Sequence, residues 1–395
     1  MQKIFYITIF TFLLMSCRNY TIDIKNEQAG KLSATYQLVI HGEKKIPLDN
    51  ETAPNPPYMQ IYTDAFGIQI LSFLNPYRNT IYLYNYAEGT FIRSISYERE
   101  GPNGILHPAG YYIKNMDSIY VYNMMMPELV LTDSASRVKQ RSSLIPDHSD
   151  QNLWTVYYPQ YMPCTVIPMM EIDETLALIG YSPFSLKDSL IDDFRFTAFM
   201  DMKTFQVTFR HTYPVELYGN NANWDGVEFF TPVYPALSPS GELIYSFPVS
   251  HDIYLAKWNT GNYKVAYAGS NTAKTIRSMD QRETRTPNQI ILAHYFQYDT
   301  YSAILYDTWR KTYYRFMLQH LPNASPQTAV GKKPIVIIMM DEQFNYLGET
   351  LIGTGEEWNW TNSFVTAEGL NIEYIDEEDE NEDYLNFKIF KIKEL

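Results

Sequence analysis

Any chemistry in this chain has to come from residues scattered along it, because no compact motif supplies one. The histidines, His41, His107, His148, His211, His251, His294 and His320, lie too far apart for the short spacings of zinc ligands. No His-Glu-x-x-His, calcium loop, phosphate loop or Gly-x-Ser-x-Gly elbow occurs, and the repeated aspartate-box turn of sialidases is missing too. No metal and no cofactor is therefore expected. Glu100, His107, His251 and Asp252 are the residues from which an acid and a base for a hydrolase or lyase would be drawn, provided the fold brings two of them together. Residues 376–383, DEEDENED, carry seven carboxylates in eight positions. Hard cations take oxygen ligands, but this run lacks the glycine that would turn them inward, so it reads as a solvated acidic loop.

The second chemical resource is aromatic: 34 Tyr, 21 Phe and 6 Trp stand against 18 Gly. Much of this follows from β propensity, since rings fit a pleated, half-buried surface. The rings between apolar runs need another reason. Trp154, Tyr157, Tyr158, Tyr161, Trp224, Trp358 and Trp360 fall in such connections, together with Arg99, His107, His251 and Arg282. A ring on a loop either packs or binds, and aromatic platforms suit sugar rings or peptide side chains. These residues form the candidate ligand-binding set, with packing beneath long loops as the competing reading.

What must position them is read from residues 230–268. Four runs rich in Tyr, Val, Ile and Phe, at 232–237, 242–247, 252–258 and 263–268, are separated by Ser-Pro-Ser-Gly, Pro-Val-Ser-His and Asn-Thr-Gly turns. Four antiparallel strands in under forty residues, with no helix between them, make one blade of a β-propeller. Comparable sets occupy 58–97, 110–143, 165–210 with an insert at 182–193, and 301–351. The last set, 363–392, has three strands and is completed by a run at 33–40 that has no local partner. The expected fold is all-β: a six-bladed β-propeller over residues 33–395, its last blade closed by an N-terminal strand, which removes an open edge. With the first strand of each blade innermost, the inter-blade connections and the second-to-third loops emerge at one end. That end collects the candidate residues. The formal charge is −14 with no basic run, which argues against nucleic acid.

Residues 101–121, GPNGILHPAGYYIKNMDSIYV, resemble the blade junction of NHL-type and TolB-like six-bladed propellers. Asn123 departs from the NHL pattern, which often holds Asp there to tie adjacent turns. Residues 335–352, IVIIMMDEQFNYLGETLI, and 364–375, FVTAEGLNIEYI, resemble uncharacterised propeller lipoproteins of Bacteroidota. The resemblance implies a fold and carries no catalytic residues.

The first seventeen residues, MQKIFYITIFTFLLMSC, place Lys3 before an apolar run that is too short to span a bilayer, which takes about 20 residues. Leu14-Met15-Ser16-Cys17 resembles the lipobox of bacterial lipoproteins. That likeness implies that residues 1–16 are a signal peptide, that Cys17 carries palmitate-type acyl chains, and that 17–32 are a lipidated tether. No acidic run follows Cys17, which implies a cell-envelope, outer-membrane lipoprotein facing the periplasm. Cys164 has no disulfide partner, and its apolar neighbours make it inert. Two functions remain. The first is a lipid-anchored, non-catalytic binding or assembly module for a glycan, peptide or envelope protein. The alternative is a hydrolase or lyase working in the propeller funnel. The missing catalytic motifs favour the first.

Overall fold

Runs of β-branched and aromatic residues, cut by Asp, Asn and Gly turns, pair into six antiparallel sheets arranged as a six-bladed propeller. The structure, a computed structural model, describes residues 21–52, 55–145, 158–376 and 383–395. From the axis outward, the first blade is Met59–Thr63, Gln69–Asn75, Thr80–Asn85 and Thr90–Ser96. The second is Pro108–Asn115, Ser118–Asn123, Glu128–Thr132 and Val138–Ser143. The third has a split inner strand, Gln160–Tyr161 and Met170–Ile172, then Thr175–Tyr181, Arg195–Asp201 and Val207–Thr212. The fourth is Tyr234–Leu237, Leu243–Ser246, Asp252–Ala256 and Lys264–Tyr267, and the fifth Thr300–Asp307, Thr312–Leu318, Pro334–Asp341 and Tyr346–Thr354. The sixth joins Trp358–Thr366, Gly369–Tyr374 and Tyr384–Glu394 to the N-terminal strand Tyr36–Pro47.

Burial explains these patterns. The middle strands are covered on both faces by neighbouring blades and are buried along nearly their whole length, as in Gln69–Asn75, whereas the outer strand Thr90–Ser96 buries only Ile95. Turns are closed by side chains: Asp201 accepts the amides of Lys203 and Thr204, and Asp341 those of Gln343 and Asn345. Asn123 ties the strand ends of the second blade. It accepts the His107 amide at 3.1 Å and donates to Glu128 at 2.9 Å.

The closing strand is longer than the expected 33–40. It runs to Pro47 against Tyr384–Glu394 through a bulge between Ile40 and Gly42. Its second half alternates exposed charges with inward residues, ending on fully buried Ile46, and so reads as polar in sequence. Within the expected tether 17–32, the chain is bound to the domain from Ile22 onward. Asp23–Ile24 pairs with Ile276–Arg277, and Asn26 donates to the carbonyls of Ser270 and Ala273.

Two devices fix the blades around the axis. Between the halves of the third blade's inner strand, residues 162–169 leave the sheet and fill the central channel. Val166 is fully buried with Ala303 and Phe316 of the fifth blade. Pro163 lies so close to Gly110 of the second blade that a β-carbon there would come within 2.5 Å. Thr165 accepts the amide of Met59 in the first blade at 3.0 Å and donates to Asn362 in the sixth at 2.7 Å. Between the fourth and fifth blades, the wholly buried Arg315 donates to Ser246 Oγ and to the carbonyls of Ser250, His251, Asp252 and Ala268, with the Tyr301 ring 4.0 Å away.

Replacing Thr165 with Val keeps the volume of the plug but strands the Met59 amide and the Asn362 carbonyl oxygen. Such a loss costs about 2 kcal/mol. Urea unfolding of Thr165→Val is expected to show that decrease, and an unchanged midpoint would mean these bonds do not hold the segment.

Candidate functional site

The plug closes the channel, so a ligand site has to sit at one end of it. At the end carrying the long connections, a cleft of about 420 Å³ opens between the fourth, fifth and sixth blades. Its walls come from inner strands: Tyr234 from the fourth, Thr300 and Ser302 from the fifth, Trp358 and Trp360 from the sixth. Phe229 and Tyr295, stacked 4.1 Å apart, form the outer wall, with exposed Glu228 beside them. Tyr234 and Trp360 pack into the same cluster as Val166 and Cys164, so the plug supplies the floor.

Trp358 is held by its indole N–H, which donates to the Ile352 carbonyl at 2.8 Å. Trp360 is half-buried, and its ring meets Tyr234 at 6.0 Å and 57°. Neither the Trp360 indole N–H nor the Tyr234 hydroxyl has a hydrogen-bond partner among the described residues. The cleft therefore offers apolar ring faces, two donors without protein partners and one rim carboxylate. Such ring faces and donors can hold a half-apolar ligand.

Two buried ionisable groups near the cleft were missed in the sequence. Lys333 reaches from the loop before Pro334–Asp341 and donates to the carbonyls of Tyr295 and Tyr298 at 2.7 and 2.8 Å, over the Tyr295 ring. Burial pushes it down to about 7, opposed by Asp299. It caps the helix Asn288–Gln297, whose last turn leaves carbonyls open. Glu373 is buried and accepts from the side-chain amides of Asn359, at 2.5 Å, and Asn362, at 2.7 Å. Burial pushes its carboxyl up to about 7 against those two bonds. Nothing local in NIEYI marks Glu373 as inward except its place in the alternation of the strand.

The structure separates the sequence candidates. Trp358 and Trp360 come together in the cleft. Tyr158 and Tyr161 line a different, apolar groove between the second and third blades, with Met124, Leu144 and Phe184, and the Tyr161 hydroxyl is buried without a partner. Arg282 borders a polar groove near Lys187 and Asn221. Arg99 is exposed and donates to the Tyr77 carbonyl, and His107 is half-buried in the same connection. Trp224 and His251 are core residues, a correction to their expected place on the loop surface. The connection of Trp224 folds back, giving its N–H to the Leu217 carbonyl and its ring to Phe230. His251 lies between the Tyr301 hydroxyl at 2.8 Å and the Ile24 carbonyl at 3.2 Å, and burial pushes it down to about 4. Both nitrogens are engaged, so no lone pair is left for a proton relay. Glu100 and His107 belong to the first connection, whereas His251 and Asp252 belong to the fourth blade, so the funnel acid and base do not meet there. Cys17, Trp154, Tyr157 and residues 377–382 of the acidic run lie outside the described residues. The described residues hold no cluster of three potential metal ligands. Cys164 is half-buried, and desolvation pushes its thiol up to about 11.

A family model described as a domain of unknown function, DUF4221, matches residues 35–351. A crystal structure of a DUF4221 member from Bacteroides vulgatus is similar at a TM-score of 0.73 and 18% identity, covering 91% of this chain and 99% of that one. A candidate exported protein from Bacteroides fragilis is similar at 0.52 and 11% identity, covering 90% and 95%. No curated protein matches the sequence. At these identities the likeness shows the fold.

Glu373 makes stability depend on pH. Its folded value of about 7 exceeds the ordinary 4.5, so between those values the native state keeps a proton that the unfolded chain has lost. Stability from this group is present below pH 4.5 and falls as pH rises through 7, by up to about 3 kcal/mol. The neutral buried histidines His211, His251 and His294, all pushed down to about 4, act in the opposite sense below pH 6.5. Subtracting the Glu373→Gln profile from that of the wild type isolates the carboxyl. The wild type is expected to lose stability relative to the variant between pH 5 and 8, and parallel profiles would mean that Glu373 titrates in the native state as it does in the unfolded chain.

Proposed function

We propose that this chain, which belongs to the DUF4221 family, is a lipid-anchored binding module of the cell envelope that holds a sugar ring or a half-apolar peptide side chain in the axial cleft. The observation that carries this reading is the pairing of the Trp360 and Tyr234 rings with their two unpartnered donors above a closed channel. Stacking against apolar sugar or peptide faces, with a few neutral hydrogen bonds, is how such cavities recognise ligands. The buried His251 and the separation of Glu100 and His107 from Asp252 weigh against the funnel hydrolase or lyase.

The anchor rests on Leu14 to Cys17: residues 1–16 as a signal peptide, acylated Cys17 as the new N-terminus, and 33–395 as the propeller. The absence of an acidic run after Cys17 supports an outer-membrane address facing the periplasm. The description of the Bacteroides fragilis relative as a candidate exported protein agrees with an envelope location.

Thermal-shift and calorimetric titration against panels of glycans and short peptides test the cleft. Trp360→Ala is expected to lower affinity for a discovered ligand at least tenfold while shifting the melting temperature little, because one half-buried ring on a cleft wall is lost. Trp224→Ala serves as the contrast, since it empties a core site and should cost about 3 to 5 kcal/mol of stability. Normal binding by Trp360→Ala would remove the cleft as the site. Anchoring has its own test. Cys17→Ala should abolish acyl labelling and leave unprocessed precursor, and undiminished labelling would overturn it.

A further inference from the structure

The N-terminal segment joins the propeller at a defined place. Ile22 exchanges two hydrogen bonds with Ser278, at 2.9 and 3.0 Å. Asp23 grips Arg277 with both carboxylate oxygens, at 2.5 and 2.7 Å. Ile24 pairs with Ile276 and gives its carbonyl to His251, and the Asn26 side chain makes three further bonds to Tyr267, Ser270 and Ala273. Ser278 and Arg277 belong to the connection between the fourth and fifth blades, which emerges at the same end as the axial cleft. From there the segment passes Asn271, which receives the amides of Gly30 and Leu32, and meets Leu347 at Thr35 near the opposite end. The chain thus enters the domain from the cleft end.

Only residues 18–21 separate Cys17 from Ile22. Five residue steps reach at most about 17 Å when fully extended. A lipid on Cys17 would therefore hold the cleft end next to the bilayer, with no long leash to let the propeller turn over. The surface at that end carries a second, independent sign. Tyr77, Met125, Met126, Val215, Ile290 and Val330 are exposed on its connections, spread around the propeller, whereas the turns of the opposite end expose Phe66, Ile68 and Trp309. Two methionines, three aliphatic side chains and one tyrosine ring raised on polar loops suit shallow insertion among lipid headgroups.

We propose that the end of the propeller bearing the axial cleft lies against the membrane that holds the lipid anchor, so that the cleft receives its ligand at the bilayer surface. This rests on the lipid-anchor reading above. Asp376 and Asp383 also belong to the connection at that end, between Gly369–Tyr374 and Tyr384–Glu394, so the lipid surface it fits is zwitterionic rather than anionic.

The test uses the lipidated full-length protein in phosphatidylcholine vesicles containing a brominated phosphatidylcholine quencher. A fluorophore is placed at Met126→Cys on the cleft end or at Gln343→Cys on a turn of the opposite end. Both positions are exposed, while Cys17 is acylated and the half-buried Cys164 has its thiol pushed up to about 11. Quenching at least threefold stronger at position 126 than at 343 is the expected result. Equal or reversed quenching in acylated protein would overturn the assignment of the face and leave the anchor standing. Absence of acyl groups on Cys17 would remove both, and neither result depends on whether the cleft binds a sugar or a peptide.

Discussion

Everything about the axial region follows from residues 162–169 filling the channel that six inner strands leave between them. A ring of six twisted sheets is free to breathe at its centre unless something packs there, and here the packing is covalently part of the third blade. Val166 supplies the apolar contact, and Thr165 and Pro163 reach the other blades through hydrogen bonds and direct contact with Gly110. Leaving the sheet costs the third blade a continuous inner strand. The return is one set of contacts that fixes the spacing of the blades and gives the cleft a solid floor. A site on such a floor is preorganised, since Tyr234, Trp358 and Trp360 stand on inner strands and Tyr295 on the helix Asn288–Gln297.

The buried polar groups work to the same end. Arg315 places a charge in the core, which is costly unless every donor finds an acceptor. All five of its N–H groups do, mostly in carbonyls at the corner of the fourth blade, and burial lowers its value only to about 10, so it stays charged at neutral pH. Lys333 satisfies helix-end carbonyls in the same way. His211 repeats the pattern of His251, one nitrogen on a tyrosine hydroxyl and the other on carbonyls. These groups select one arrangement of blades, because any slip would strand a buried charge or a buried nitrogen.

The N-terminal segment joins fold, site and address. It completes the sixth blade as its outer strand, and just before that it is sewn to the fourth and fifth blades beside the cleft. His251, which in sequence looks like a funnel base, spends its second nitrogen on holding this segment through the Ile24 carbonyl. The polar composition of residues 18–31 suggests a loose tether, yet Asp23, Asn26 and the backbone of Ile22 and Gly30 use that polarity for bonds to the domain. Composition records that a segment is polar, but not whether its partners are water or protein.

The strands were legible in the sequence because their cause is local. Alternating or continuous apolar runs cut by turn residues define four strands per blade, and the unpaired run near residue 36 had to find the three-stranded set at the chain's end. The outer half of that strand was not legible, since a face turned to solvent carries charges just as a loop does. The cleft was half legible: Trp358 and Trp360 stood out as rings at the start of a blade, but their partners Tyr234, Phe229 and Tyr295 look like any other strand or helix aromatics. Trp224, Tyr161 and His251 show the limit most clearly. Each lies on or beside a connection, and a connection's sequence does not say whether it arches into water or folds back over the core. That choice depends on which blades lie next to it and what space they leave, so only the closed ring, with its filled axis, decided which aromatic residues became walls and which became core.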